Sequence, residues 1–264
     1  NLGNMKRYIF LIVAVFYLNG AFAQFFSTVI DEQELKFKVK QIDEFMHRFN
    51  YDIAYDGSSP VFMKDSATYV AERTKNMLTL FNLDKFLTKE KKPSIITQQI
   101  ISYVIKNNIR LEYANSSWYA KLKCNCTYLG RKSTMLIDLR VEKIKGVEYK
   151  WVISDVNGSL FAAMKDTVDV STFISPADHG IGFISLPHTI NSNYKVVNSF
   201  AYKGHKNDRL SVFNFMVANQ MLKINNVESV SYHCSLGKYN IIVERVEKTN
   251  SYNKGWLINS ITVK

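Results

Sequence analysis

Residues 140–153 read RVEKIKGVEYKWVI, and residues 245–258 read RVEKTNSYNKGWLI. In both stretches seven residues separate Arg-Val-Glu-Lys from a tryptophan, so Arg140 stands to Trp151 as Arg245 stands to Trp256. Working outward, Cys126-Thr127-Tyr128-Leu129-Gly130-Arg131 is matched by Cys234-Ser235-Leu236-Gly237-Lys238 with a slightly shorter hairpin. Farther upstream, Asn107-Asn108 closes one helical stretch and Asn225-Asn226 closes another. A shared four-residue string with an aligned tryptophan and a shared Leu-Gly turn predicts an internal duplication. Two copies are too few for a solenoid, so two related modules are expected, in tandem or face to face.

Each module reads as helix followed by strands. In the first, Leu35, Val39, Ile42, Met46 and Phe49 recur at alternating steps of four and three, which predicts a helix over 31–50 with acids in its first turn. A second helix is expected over 65–82, carrying Val70, Met77, Leu78 and Phe81, and a third from Ser94, just after Pro93. Alternation then begins. Trp118, Ala120, Leu122, Cys124 and Cys126 fall on one strand face, and Tyr119, Lys121, Lys123, Asn125 and Thr127 on the other. Met135, Ile137, Leu139 and Val141 line the next strand, and 151–156 closes the meander.

The second module is leaner. A strand is expected over 196–202, a helix capped by Asp208 with Leu210, Phe213, Val217 and Met221 on its face, and strands near 227–234, 239–246 and 256–263. Between the modules, FISPADHGIGFISLPHTINSN (173–193) holds two of the four prolines, and its turn chemistry marks a boundary. The expected organisation is 1–23, 24–165 and 166–264.

The first of these segments is read as a signal peptide. Met5-Lys6-Arg7 is a short basic start, 8–18 (YIFLIVAVFYL) is an unbroken apolar run, and Ala21-Phe22-Ala23 has the small-x-small pattern of a cleavage site. Eleven apolar residues at about 1.5 Å each span about half of a bilayer core, too little for a lasting transmembrane helix. Cleavage near Ala23 predicts a secreted or periplasmic protein with no transmembrane segment afterwards. The remaining chain would start at Gln24.

Composition bounds the rest. With 47% hydrophobic and 13% aromatic residues the chain has ample material for a core, which argues against disorder; three Cys in 264 residues exclude a disulfide-dense scaffold. The formal charge of +11 includes Lys6 and Arg7, and losing those two cations leaves +9. Residues 24–165 carry +6 of it and 166–264 carry +3. The lysines are scattered among acids; the dense cluster 85–92 (KFLTKEKK) precedes Pro93 and reads as a loop between helices. No arginine-rich helix, RNP-like strand or zinc-finger spacing accompanies the charge, so no nucleic-acid partner is expected.

Helices followed by a curved antiparallel meander resemble the NTF2-like and cystatin-like α+β folds, in which a sheet wraps a helix around a conical cavity. The stretches IDEFMHRFNYD (Ile42–Asp52), RTKNMLTLFN (Arg73–Asn82), FISPADHGIGFISL (Phe173–Leu186) and GWLINSI (Gly255–Ile261) resemble a family of secreted, uncharacterised two-domain NTF2-like proteins of Gram-negative gut bacteria. The resemblance covers nearly all of the chain after the signal. It implies an α+β fold of two related modules and an extracytoplasmic compartment, and it implies no activity and no functional residues.

Signatures of chemistry are sparse. There is no Gly-x-Ser-x-Gly elbow, no Cys-x-x-Cys or His-Glu-x-x-His spacing, no calcium loop and no glycine-rich phosphate loop, so neither metal nor cofactor is expected. Cys124 and Cys126 share an apolar strand face, and Cys234 occupies the repeat position of Cys126, so buried free thiols are expected ahead of an inter-module disulfide or a catalytic thiol. His47 follows Asp43 by four residues, at the border of a helical stripe, where a His–Asp pair could sit at a cavity mouth as a proton-transfer dyad; a solvated surface pair explains the spacing as well. Asp178, His179 and His188 lie in the inter-module segment, where turn chemistry accounts for them. The other candidates are aromatic. Trp151 and Trp256 are repeat equivalents, and Tyr113 and Tyr232 belong to early strands of each meander. Rings at such positions serve as core pillars or as a stacking surface for an apolar ligand or a sugar. The expected function is therefore non-catalytic binding of a small ligand, a glycan or an envelope protein, in a cone cavity or between modules. The alternatives are an isomerase- or hydratase-type enzyme using Asp43 and His47, and a structural subunit of an envelope complex.

Overall fold

The computed structural model describes residues 41–60, 67–113, 117–143, 149–162, 192, 209–249 and 251–264. The segment 1–23 read as a signal, Leu35 and Val39, Asp65, the segment 173–193 apart from residue 192, the strand expected over 196–202 and the capping Asp208 lie outside the described residues. The elements in chain order are α1 (Ile42–Phe49), α2 (Ala67–Leu78), the single turn α3 (Leu83–Phe86), α4 (Ile95–Lys106), β1 (Trp118–Tyr128), β2 (Arg131–Lys143), β3 (Tyr149–Asn157), a 3-10 turn (Ser159–Phe161), α5 (Arg209–Ala218), β4 (Leu222–Leu236), β5 (Tyr239–Val246) and β6 (Gly255–Val263). The class is α+β, as expected. The strands of the two sequence repeats lie in one open six-stranded antiparallel sheet of order β3-β2-β1-β4-β5-β6, rather than one sheet per module. Each meander, β1–β3 and β4–β6, forms one half of that order, and β1 and β4 are neighbours. The shared Leu-Gly turn is realised in both hairpins: Gly130 (φ +79°) and Gly237 (φ +60°) occupy left-handed conformations that need no Cβ.

Contacts divide the chain into two compact units. Unit 1 contains 1–121, 140–152 and 230–264; unit 2 contains 122–139 and 153–229. Strands β1 to β4 each contribute residues to both units.

In unit 1 the apolar stripe of α1 buries Phe45, Met46 and Phe49, while Asp43 and Glu44 in its first turn and His47 and Arg48 in its last turn suit the helix dipole. Helix α2 buries Tyr69, Val70, Met77 and Leu78. It ends at Leu78, short of the expected 82, because the sheet captures the following residues: Asn82 N donates to Ile258 O at 2.9 Å and Ile258 N to Leu80 O at 2.7 Å. Phe81 thereby bridges Ile258 in parallel. Asn253, buried, secures the same segment: its Nδ2 donates to Phe81 O at 2.8 Å, and its Oδ1 accepts from Leu83 N at 2.9 Å. Ser94 caps α4 as its position after Pro93 predicts, with Oγ accepting from Thr97 N. These helices pack with Trp118, Cys234, Leu236, Tyr239, Ile241, Val243 and Ile258 into one core.

Unit 2 has its own core of Cys124, Cys126, Met135, Ile137, Val156, Phe161, Phe213, Met216 and Leu222. Helix α5 buries Phe213 and Met216, and the expected Val217 faces solvent; the packed pair is spaced by three residues, not four. Arg209 at the start of α5 pairs with Asp155 of β3 at 2.9 Å. Among the described residues, no helix is long and apolar enough to cross a membrane.

Candidate ligand-binding site

The aromatic residues singled out by the repeat converge in unit 1. Trp118, at the start of β1, is the hub. Its ring is fully buried, and its Nε1 donates to the carbonyls of Glu112 and Tyr113 at 3.1 Å each. Trp151 on β3 meets it edge to face with centroids 5.3 Å apart, Tyr113 lies 5.8 Å away, and Tyr232 on β4 lies 6.0 Å away. Trp256 on β6 extends the cluster, edge to face with Tyr232 at 5.0 Å. Tyr149 closes the other side, 6.1 Å from Tyr113, and Tyr113 reaches Trp151 at 6.3 Å. All four expected positions, Tyr113, Trp151, Tyr232 and Trp256, are thus in one chain of rings.

The exposure of these rings separates support from surface. Trp118 belongs to the core, and Tyr232 and Trp256 are half-buried and packed against it. Tyr113, Tyr149 and Trp151 remain 39%, 42% and 38% exposed. Three large rings held by neighbours yet open to solvent form a stacking surface whose conformational cost is already met.

Asp43 lies in the first turn of α1. Burial pushes the Tyr232 hydroxyl above its ordinary value, and the charges of Asp43 and of the Tyr113 hydroxyl add to that. Asp43 itself is exposed. His47 goes elsewhere: it is exposed, and its Nδ1 lies 3.4 Å from Asp52 Oδ2. Asp52 also accepts from Arg110 Nη2 at 2.7 Å. Burial alone would raise the Asp52 carboxyl, but Arg110 and His47 outweigh it and hold it below the usual carboxylate range. The His47 ring thus engages Asp52, and Asp43 acts on Tyr232 through its charge.

The cysteines are all buried and free. Burial raises each thiol. It carries Cys234 to about 12 and acts on Cys124 with the charge of Cys126 beside it; at Cys126 a hydrogen bond with Ser133 opposes it in part. A thiol kept protonated at neutral pH is a poor nucleophile. Among the described residues, no three His, Cys, Asp or Glu side chains gather as a metal site; Asp178, His179 and His188 lie outside those residues.

Sequence reasoning passes over two members of the site. Tyr149 stands two residues before Trp151, so period-two alternation would place it on the same face. Trp118 reads only as a core residue, and its hub role comes from the tertiary meeting of β1, β3 and β4. Comparison of the chain with protein-family models, with curated proteins and with solved structures finds no match to any of them.

Proposed function

We propose that this is an exported, non-catalytic binding protein, and that a glycan stacks on the surface formed by Tyr113, Tyr149 and Trp151. One observation carries the reading: three half-exposed rings are braced by a buried tryptophan in a single aromatic chain. Such surfaces fit ligands with flat, CH-rich faces and few obligatory hydrogen bonds. The apolar run at 8–18 and the small residues before Gln24 support export, to the periplasm or beyond. The two repeats are read as duplicated helix-and-meander modules of the NTF2-like or cystatin-like kind. The symmetric strand order, with one meander on each side of the β1–β4 pair, supports the duplication.

The isomerase or hydratase alternative needs Asp43 and His47 acting on one substrate atom. The engagement of His47 with Asp52 weighs against that and favours binding. Titrating soluble cello-, xylo-, manno- and chito-oligosaccharides against intrinsic tryptophan fluorescence tests the proposal. At least one series shifts the emission saturably; silence from all four at millimolar concentration overturns it.

A further inference from the structure

We propose that unit 2 carries a second, separate binding site, an amide-lined groove that takes a monosaccharide-sized, carboxylated sugar. The groove is open to solvent and has a volume of about 540 Å³, within the range of small-molecule sites. Its walls are the amides of Asn125, Asn225 and Asn226 and the hydroxyls of Ser133 and Thr134. Amides and hydroxyls both donate and accept, as do the neighbouring hydroxyls of a sugar. Among the described residues, Lys132 is the one charged side chain in the lining, and no carboxylate lines the groove. That balance favours a ligand with one negative group beside several neutral oxygens. Inorganic phosphate would fill little of the volume, and among the described residues no aromatic ring lines the groove to stack a base.

The frame is pre-organised. Three strands meet there. Leu129 N, at the β1–β2 turn, donates to Met221 O at 2.9 Å, Asn225 Nδ2 donates to Thr127 Oγ1 at 3.0 Å, and Lys123 pairs with Glu228 at 2.8 Å. Leu129 holds φ +45° at the tip, an unusual conformation for leucine that these bonds maintain. The Cys126 thiol, also in the lining, is hydrogen-bonded with Ser133 and buried, so the groove presents binding groups and no thiolate. The protein's three tryptophans, Trp118, Trp151 and Trp256, all belong to unit 1.

Calorimetric titration of the full chain with D-glucuronate, D-glucose and inorganic phosphate tests the inference, on wild type and on Lys132→Ala, Asn226→Ala and Trp151→Ala. Glucuronate binds wild type, with glucose and phosphate at least about tenfold weaker. Lys132→Ala and Asn226→Ala each weaken glucuronate, Lys132→Ala by about tenfold, and Trp151→Ala leaves its affinity unchanged. Absence of glucuronate heat, equal affinity for glucose or for phosphate, or an unaltered Lys132→Ala variant overturns the inference. Loss of binding in Trp151→Ala also overturns it, by assigning the ligand to unit 1. Failure here leaves the aromatic reading standing, because that reading is scored by oligosaccharides and tryptophan emission.

Discussion

Trp118 shows how one residue can serve both core and surface. Its ring completes the core of unit 1 while its edge and faces set the positions of Tyr113, Trp151 and Tyr232. The repeat makes Trp151 and Trp256 legible in the sequence, and strand alternation makes Trp118 legible as buried. The electrostatic influence of Asp43 on Tyr232 is not legible, since no local period links a helix residue to a strand 189 positions on. That influence is measurable. Tyr232 titrates above its ordinary value of 10.0 through burial first and the Asp43 charge second. A tyrosine raised in the folded state stabilises below its ordinary value, and that stability is lost as pH climbs through the folded value. Asp43→Asn removes the charge, so the Tyr232 transition, followed by absorbance at 295 nm, moves down in pH and the alkaline loss of stability shrinks. An unmoved transition would separate Asp43 from the cluster. The thiols give a second check at this scale. With Cys124, Cys126 and Cys234 buried and free, a thiol reagent at pH 8 finds none in the native protein and three after denaturation without reductant. A count below three would mean a disulfide.

At the level of elements, periodicity locates α1, α4 and β1, and it fails where the sheet overrules it. Leu80–Asn82 continue the apolar pattern of α2, yet they leave the helix because Ile258 on β6 offers both a donor and an acceptor to their backbone. An edge strand with unpaired groups is a strong competitor for three residues at a helix end, where the last carbonyls have no partner of their own. Asn253 fixes the outcome, accepting from Leu83 N and donating to Phe81 O from a buried side chain. Asn253→Ala leaves both backbone groups buried without that partner, and we expect a loss of about 3 kcal/mol in denaturant unfolding. A loss under about 0.5 kcal/mol, the range of ordinary surface substitutions, would contradict the stapling role. The same reasoning explains Val217. Spacings of three and four are nearly equivalent on a helix, and only the tertiary environment chose Met216 for burial.

For the molecule as a whole, the matched strings at 140–153 and 245–258 predict two related modules, each with its own sheet; the strands instead form one open six-stranded antiparallel sheet. Their union in one sheet is a tertiary event: β1 and β4 supply edges to each other, which no pattern within either repeat encodes. The two cores follow from that union, with β1 to β4 contributing to both. The two proposed sites follow the same division: the aromatic surface belongs to unit 1 and the amide groove to unit 2. The central claim is that Tyr113, Tyr149 and Trp151 form the binding surface. It is tested most directly by calorimetry of the best oligosaccharide against wild type and Trp151→Ala, each checked for native circular dichroism. The account predicts that truncating this ring lowers affinity by at least about tenfold, the scale of a single aromatic anchor. A folded Trp151→Ala protein that binds the oligosaccharide as tightly as wild type would contradict it.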